Sequence, residues 1–488
     1  MLNNFMNFFT DYLGSLALLY VINALLVIAV IFTERKEPAA TLAWIMVLTF
    51  IPIVGIVFYL VFNQNFSRSK INRLTEKEEF AVNSSLKRQM ESMDKGDYDF
   101  SGNVAEKWKH LIKLNQVYGR AYYTQDNDVE LYTDGNLMFE AVLQDIKNAE
   151  TSINAEYYIL KRDHIGRRFI QALTEKAKEG VEVRLLLDAM GSRYITKSVL
   201  KEFTAAGGKV GYFFKPKFAI FGIKLNYRNH RKILIIDDKA AYTGGYNIAR
   251  EYLGQKKKFG YWRDTHIRIR GGAVYDLNAR FILDWRFTTR ENLPAVKPQM
   301  ENSEAGTKGI QIVSCGPESP KEEVKRAFMR MITYAQKNVY VQTPYFVPDP
   351  SIIESLKMAA QSGIDVRVMI PSMPDHMFVY WATYSYVGEL LRSGARVFIY
   401  DEGFLHAKTL VVDGEVGTVG STNFDNRSFR LNFETNAFIF DDGFALKMEE
   451  TFRRDMEKGH ELTLEDYMNR SLIIKFKEAI SRLLADIL

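Results

Sequence analysis

A histidine followed by a lysine two residues later and an aspartate seven residues later occurs twice, as His230, Lys232 and Asp237 and as His406, Lys408 and Asp413. Each time a glycine follows at fourteen residues and an asparagine at seventeen, Gly244 with Asn247 and Gly420 with Asn423. The chain has seven histidines, so two that open the same long pattern are hard to assign to chance. A lone His-x-Lys on a strand is ordinarily surface decoration; the doubling turns it into a candidate site. Ile233 to Ile236 and Thr409 to Val412 are apolar and largely β-branched, which predicts buried strands. Residues two apart on a strand share a face, so each histidine emerges beside its lysine. If Asp238-Lys239 and Gly414-Glu415 form two-residue hairpin loops, Asn247 falls opposite His230 and Asn423 opposite His406, with Gly245 and Ser421 opposite the lysines.

Such sets suit displacement at a phosphodiester. Lys232, Lys408, Asn247, Asn423 and the Ser421 hydroxyl are donors able to hold phosphate oxygens as charge spreads over them. One neutral imidazole can attack phosphorus to give a phosphohistidine. The other, protonated, can supply the leaving alkoxide with a proton and later take one from an incoming alcohol. A histidine suits both tasks because its unperturbed pKa is near 6.5. Asp264 and Glu434 sit at equivalent places after each motif and are candidates to orient the rings. Asp237 and Asp413 complete the motifs, but turn aspartates at the far end of a strand more often hold backbone than move protons. There is no G-x₄-G-K-[ST], no H-E-x-x-H and no strand-placed G-x-G-x-x-G, and Cys315 is the single cysteine, so no metal or cofactor is expected.

The elements that must position these residues repeat as well. Glu179 to Leu187 resembles Ser362 to Ile370, and Leu200 to Phe213 resembles Leu390 to Ile399, at offsets of about 176 to 187 residues. A helix-patterned stretch precedes the first strand of each unit, Arg167 to Lys178 and Ile352 to Ala360. Helix, glycine turn, apolar strand, repeated, predicts an α/β fold of two similar halves packed side by side, residues 111–300 and 301–488. The Pro- and Gly-bearing stretch Glu291 to Thr307 is the expected linker. Residues 67–110 are charge-rich and suggest a stalk that is a solvated tether.

Before the stalk, residues 12–33 carry no charge, and neither do Pro38 to Ser67. Each is about long enough to cross a ~30 Å hydrocarbon layer. The short charged turn Thr33 to Glu37 between them predicts a two-helix transmembrane hairpin in residues 1–66, with spans at about 12–33 and 39–62. Basic residues crowd the segment after the second span (Arg68, Lys70, Arg73, Lys77, Lys87, Arg88), which predicts a cytoplasmic location for the rest. Overall the chain is 47% hydrophobic with a net charge of +5, a balance that accepts an anionic membrane without selecting nucleic acid.

The doubled motif resembles the phospholipase D superfamily, which implies two phospholipase D-type halves. The whole chain, including Glu34-Arg35-Lys36-Glu37-Pro38, Leu225 to His230 and Gly403 to Lys408, is similar to the bacterial cardiolipin synthases. That resemblance implies a metal-independent phosphatidyltransferase in the cell membrane, acting on phosphatidylglycerol and meeting other anionic phospholipids. Two phosphatidylglycerols would yield cardiolipin and glycerol by a ping-pong route, with His230 as nucleophile and His406 as acid and base. Gly245 departs from the superfamily pattern, where serine is common; Ser421 keeps it. Three alternatives stand beside this expectation: a hydrolase that passes the intermediate to water, transfer to a different acceptor alcohol, and a non-catalytic scaffold on anionic membranes. Three stretches are candidates to meet lipid. Phe213 to Lys224 interleaves aromatics with lysines, and Asp375 to Leu391 carries Phe378, Tyr380, Trp381, Tyr384 and Tyr386. Ser471 to Leu488 puts Ile473, Phe476, Ile480, Leu483 and Ile487 on one helical face, which suits packing on the globular part or lying on the membrane.

Overall fold

The computed structural model describes residues 20–29, 38–51, 74–214, 227–294 and 305–483, together with Gly55, Ile56 and Tyr59. Contacts divide the chain into two units, one of residues 1–67 with 216–226 and one of residues 68–215 with 227–488. In the first unit, residues 20–29 and Pro38–Phe50 are helical, and Asn23 Nδ2 donates to Leu48 O at 2.7 Å, tying the two segments together. Among the described residues no helix is long and apolar enough to cross a membrane. The remainder of both expected spans lies outside the described residues, as do residues 215–226 and 295–304.

In the second unit the expected duplication holds strand for strand. The helix His164–Lys178 starts at Asp163, whose carboxylate accepts from Gly166 N, and stops at Gly180, where φ is +92° and Val181 N reaches back to Lys176 O. Its counterpart Pro350–Gln361 starts at Asp349 and stops at Gly363, φ +87°, with Ile364 N bonded to Ala359 O. Only glycine adopts that left-handed conformation without strain. Each turn feeds an apolar strand, Glu182–Asp188 or Asp365–Pro371, buried along most of its length.

The strands join one mixed sheet, sixteen-stranded among the described residues. The first half lines up as Thr124–Tyr132, His266–Arg270, Ala240–Gly244, Lys232–Ile236, Ser152–Tyr157, Glu182–Asp188 and Lys209–Phe213. The second repeats the order as Lys308–Cys315, Asn432–Phe440, Val416–Gly420, Thr409–Val412, Asn338–Gln342, Asp365–Pro371 and Arg396–Tyr400, with Gly459–Leu462 added at the edge. Antiparallel pairing of Thr124 with Ile310 makes the sheet continuous through both halves.

The chain before the first half is not a solvated tether. Helix Glu76–Lys95 opens with a capping box between Thr75 and Glu78, and Glu78 pairs with Arg286 at 2.8 Å. Gln89 donates to Tyr123 O at 2.8 Å. Further on, Trp108, Leu111, Ile112 and Tyr123 are buried in the core of the second half beside Val313, Phe328 and Phe440. The expected stalk boundary at 110 therefore cuts through packed structure. Charge on the outer face of these helices concealed an inner face that mixes Leu86, Leu111 and Ile112 with the buried amides Gln89, Asn115 and Gln116.

The hairpins carrying the motifs are one residue out of the expected register. Ile236 pairs with Ala240 and Val412 with Val416, so the loops hold three residues, Asp237-Asp238-Lys239 and Asp413-Gly414-Glu415. The first two residues of each loop have positive φ (54° and 54°, 59° and 66°), a type I′ turn followed by one extra residue. What fixes this geometry is the carboxylate. Asp237 accepts from the backbone N–H of Glu150, Thr151 and Ser152 at 2.8, 2.7 and 2.9 Å. Asp413 accepts from those of Gln336, Lys337 and Asn338 at 2.8, 2.7 and 3.0 Å. Seven residues of strand put each aspartate roughly 20 Å from its histidine. This corrects the grouping of Asp237 and Asp413 with the reacting residues: they pin the neighbouring strand.

Asp413→Ala removes the carboxylate from three partly buried N–H donors and is expected to cost about 1–3 kcal/mol in a denaturant titration. The rate per folded molecule should stay within a few-fold of the parent. A loss of two or more orders of magnitude in rate at unchanged stability would reinstate a chemical role.

Candidate active site

Two short pairings between the halves build the site. Arg228–Asn229, just ahead of the first motif, runs parallel to Asn432–Phe433, just ahead of Glu434. Gly403–Leu405, just ahead of the second motif, runs parallel to Tyr261–Arg263, just ahead of Asp264. The next backbone bond follows in each case: His230 N donates to Phe433 O at 2.9 Å, and His406 N to Arg263 O at 2.7 Å. Each histidine is thereby laid beside the acid of the opposite half. Sequence had left this pairing open.

His230 Nδ1 lies 3.0 Å from both Glu434 oxygens and 3.2 Å from Ser421 O. His406 Nδ1 lies 2.5 Å from Asp264 Oδ2. An ionised carboxylate only accepts, so Nδ1 donates in both pairs and Nε2 keeps its lone pair. Burial alone would raise both acids. The hydrogen bond from His230 and the charge of Lys232 hold Glu434 below the usual range, and the charge of Lys408 with the hydrogen bond from His406 does the same for Asp264. Burial, opposed by Glu434, keeps His230 below 6.5; burial together with Lys408 takes His406 down to about 4. Both rings are therefore neutral in the empty site at pH 7.

Lys232 and Lys408 lie beneath the histidines, each donating to the carbonyl of its own histidine, the first at 2.5 Å. Burial lowers their pKa values to about 7 and about 8. The Lys408 charge adds to the lowering at Lys232, whereas Asp264 and Glu434 oppose the lowering at Lys408.

His230 and His406 both line a cavity of about 820 Å³. Tyr158 stands edge-on to His230 with centroids 5.0 Å apart, and Trp262 lies 5.0 Å from His406. Arg228 and Arg427, one from each half, reach the same cavity, as do Lys256 and Lys258. Asn247 and Asn423 line it as well, so the structure brings both to the histidines despite the register shift. Asn247 is already engaged, accepting from Ile159 N at 3.0 Å and donating to Tyr252 OH at 3.1 Å. Asn423 Oδ1 and Asn432 Oδ1 are buried acceptors without a partner among the described residues. Ser421 is turned away from the cavity, its hydroxyl accepting from Thr435 N at 3.0 Å. That corrects its expected place among the phosphate ligands.

Several groups escaped the sequence reading. Arg231, the unspecified residue of the first motif, is fully buried and joins the halves through Thr435 Oγ1 at 3.1 Å and Cys315 O at 3.1 Å, with Asp284 of its own half as counter-charge at 2.6 Å. Arg263 does the same through Asp455 at 2.9 Å. Their only sequence signal was adjacency, Arg231 following His230 and Arg263 preceding Asp264. Among the described residues no group of three or more His, Cys, Asp or Glu is arranged to hold a metal ion.

The family model described as "Cardiolipin synthase, PLD-like domain" matches residues 142–261 and 328–456, one block per half. The model described as "Phospholipase_D-nuclease N-terminal" matches residues 21–63. The cardiolipin synthase of Listeria welshimeri is 47% identical over 475 residues, 97% of this chain and 98% of that protein. The major cardiolipin synthase ClsA of Bacillus subtilis is 45% identical over 475 residues, again 97% and 98%. Among solved structures, the phosphatidylserine synthase of Haemophilus influenzae superposes with a TM-score of 0.56 at 14% identity, covering 77% of this chain and 96% of that one, which is a likeness of fold. With the duplicated halves and nearly full-length identity in hand, the chain belongs to the bacterial cardiolipin synthases of the phospholipase D superfamily.

Proposed function

We propose that the cavity makes cardiolipin from two phosphatidylglycerols through a phosphohistidine, with His230 as nucleophile and His406 as acid and base. The observation that carries this reading is the pair of imidazoles in one cavity, each oriented by the acid of the other half. His230 Nε2 attacks the phosphorus of the first phosphatidylglycerol. The P–N bond forms as the P–O bond to glycerol breaks, and His406, protonated in the complex, gives its proton to the departing glycerol oxygen. The headgroup glycerol of a second phosphatidylglycerol then loses a hydroxyl proton to His406. Its oxygen attacks phosphorus, the P–N bond breaks and cardiolipin leaves.

The bound phosphodiester brings the negative charge that lets His406 take up its proton and keeps Lys232 and Lys408 charged. Arg228 and Arg427 favour the same anionic headgroups. The free acceptors Asn423 Oδ1 and Asn432 Oδ1 fit the hydroxyls of glycerol, and the aromatic wall around His406 disfavours bulk water. Both features favour transfer over hydrolysis. Residues 12–33 and 39–62 are proposed to span the cell membrane as a hairpin with the catalytic unit in the cytoplasm; the Asn23–Leu48 bond and the basic segment Arg68 to Arg88 support it.

Purified full-length protein given phosphatidylglycerol alone should yield cardiolipin and glycerol by mass analysis. Phosphatidic acid as the sole lipid product would move the chain to the hydrolases. His230→Ala and His406→Ala should each abolish this turnover. With a phosphodiester carrying p-nitrophenol, which departs without a proton, His406→Ala should still release one equivalent and keep a phosphatidyl adduct on His230. An adduct on His406 in the parent enzyme would reverse the two roles.

The lysines predict a pH profile. They are charged below about 7 to 8 and lose that charge as pH rises through this range, while His230 stays neutral until pH falls below 6.5. kcat/KM should therefore fall on both sides of a maximum near neutrality. In kcat the alkaline limb should move upward, because bound phosphodiester holds the ammonium protons. An alkaline limb at the same pH in both profiles would contradict a phosphate-facing charge on these lysines.

A further inference from the structure

The C-terminal helix Leu472–Leu483 is attached to the protein by its polar side. Glu478 and Ser481 are its buried residues, 3% and 2% exposed. Arg470, just ahead of the helix, holds Glu478 with two bonds of 2.6 Å. Arg482 pairs with Glu389, reaches Ser385 Oγ at 3.3 Å and lies over the Tyr386 ring at 4.5 Å. Lys477 Nζ stands 5.1 Å over Trp381. All four of these partners belong to the helix Met377–Arg392.

The apolar side points outward. Leu472, Ile473, Phe476, Ile480 and Leu483 are 82%, 68%, 67%, 40% and 80% exposed. At 3.6 residues per turn the five fall within an arc of about 100°, with Lys477 on one border and Lys475 beyond the other. A helix that only stabilises a globular body does the reverse, burying its apolar stripe and showing its charges to water. Of the two uses open to this segment in the sequence, packing is carried out by the polar face, which leaves the apolar one unspent.

Its position says what the stripe is for. Met377 and Phe378, 53% and 54% exposed, line the catalytic cavity on the first turn of the partner helix. Trp381, which Lys477 covers, is one turn further along that helix. The stripe thus lies, across its Lys477 border, beside the helix whose first turn lines the cavity. A second copy of the chain docked face to face would set Lys475 and Lys477 against like charges. An anionic bilayer offers counter-charge to both borders and a hydrocarbon boundary to the stripe between them.

We propose that this stripe lies in the surface of an anionic bilayer and seats the cavity mouth against it, so that lipid headgroups enter from the membrane plane. The proposal rests on the reading of the chain as a phospholipid enzyme and adds a docking surface separate from residues 12–62. Cys315, the single cysteine, is buried, so one introduced thiol can be labelled cleanly.

The test uses the full-length protein in phosphatidylglycerol–phosphatidylcholine nanodiscs, with an environment-sensitive fluorophore on Phe476→Cys or, as control, on Glu202→Cys, an exposed site in the first half. The label at 476 is expected to shift to the blue and to be quenched at least threefold more by nitroxide-bearing lipid than the label at 202. Equal quenching at both sites overturns the proposal. So does a 476 label that is shielded from water yet untouched by lipid quencher, since that marks a protein partner. The triple variant Ile473→Glu, Phe476→Glu, Ile480→Glu should lose at least tenfold in activity on bilayer substrate and less than twofold on substrate dispersed in detergent micelles. An equal loss in both, or none in either, also overturns it. Lipid quenching is read without turnover, so a failure of the transferase reading would leave this result standing.

Discussion

Everything at the reacting centre hangs on two strips of parallel backbone pairing, Arg228–Asn229 with Asn432–Phe433 and Gly403–Leu405 with Tyr261–Arg263. Each strip carries a histidine from one half and an acid from the other in adjacent positions. Geometry is set before any side chain chooses a rotamer. A half on its own would hold an imidazole without its carboxylate and a carboxylate without its imidazole. The duplication is therefore an obligate pair, and the continuous sheet through Thr124 and Ile310 serves to hold those strips in register.

Such a seam must bury charge, which is costly unless every charge is paired and hydrogen-bonded. Arg231 and Arg263 answer that requirement. Arg231 spans from the first motif to Glu434 O and Thr435 Oγ1 while Asp284 neutralises it; Arg263, whose carbonyl accepts from His406 N, is neutralised by Asp455. The interlock extends to the cores, where Phe404 of the second half packs among first-half residues and Trp108 packs in the second. Burial at the same seam keeps both histidines neutral at pH 7 and brings the lysine pKa values down to about 7 and about 8.

What could be read from the sequence was whatever repeats with a fixed spacing: the halves, the strands and the His-x-Lys pairs. Periodicity fails where one residue changes the count. The type I′ turn with an added residue at Asp237 and Asp413 slipped the hairpins by one, because a turn aspartate at positive φ is invisible to a hydrophobic pattern. Cross-half pairing was hidden because Asp264 and Glu434 follow their own motifs in sequence while serving the other's histidine. Residues 67–110 looked solvated because their charges outnumber the few large side chains, such as Trp108, that anchor the described part of them. The C-terminal helix showed its stripe plainly in sequence, but which face would be spent on packing depended on Glu389 and Tyr386, some ninety residues away.

The departure at Gly245 acquires a physical reason from the same geometry. A Cβ there would stand 1.9 Å from Asp264 Oδ1 and 2.5 Å from its carboxyl carbon, so the glycine is what lets the carboxylate lie against the backbone and reach His406. In the other half Ser421 occupies the corresponding place and the acid is the longer Glu434, which reaches past it to straddle His230 Nδ1 with both oxygens. Since the Ser421 hydroxyl is engaged with the Thr435 backbone, no phosphate ligand is missing at Gly245. Small residue with short acid, and larger residue with longer acid, are two solutions to one spatial constraint. The halves consequently hold their histidines differently, one by a single bond of 2.5 Å and one by a pair at 3.0 Å, although the motifs that carry them are spaced alike. Two rings held differently can take different parts in one reaction.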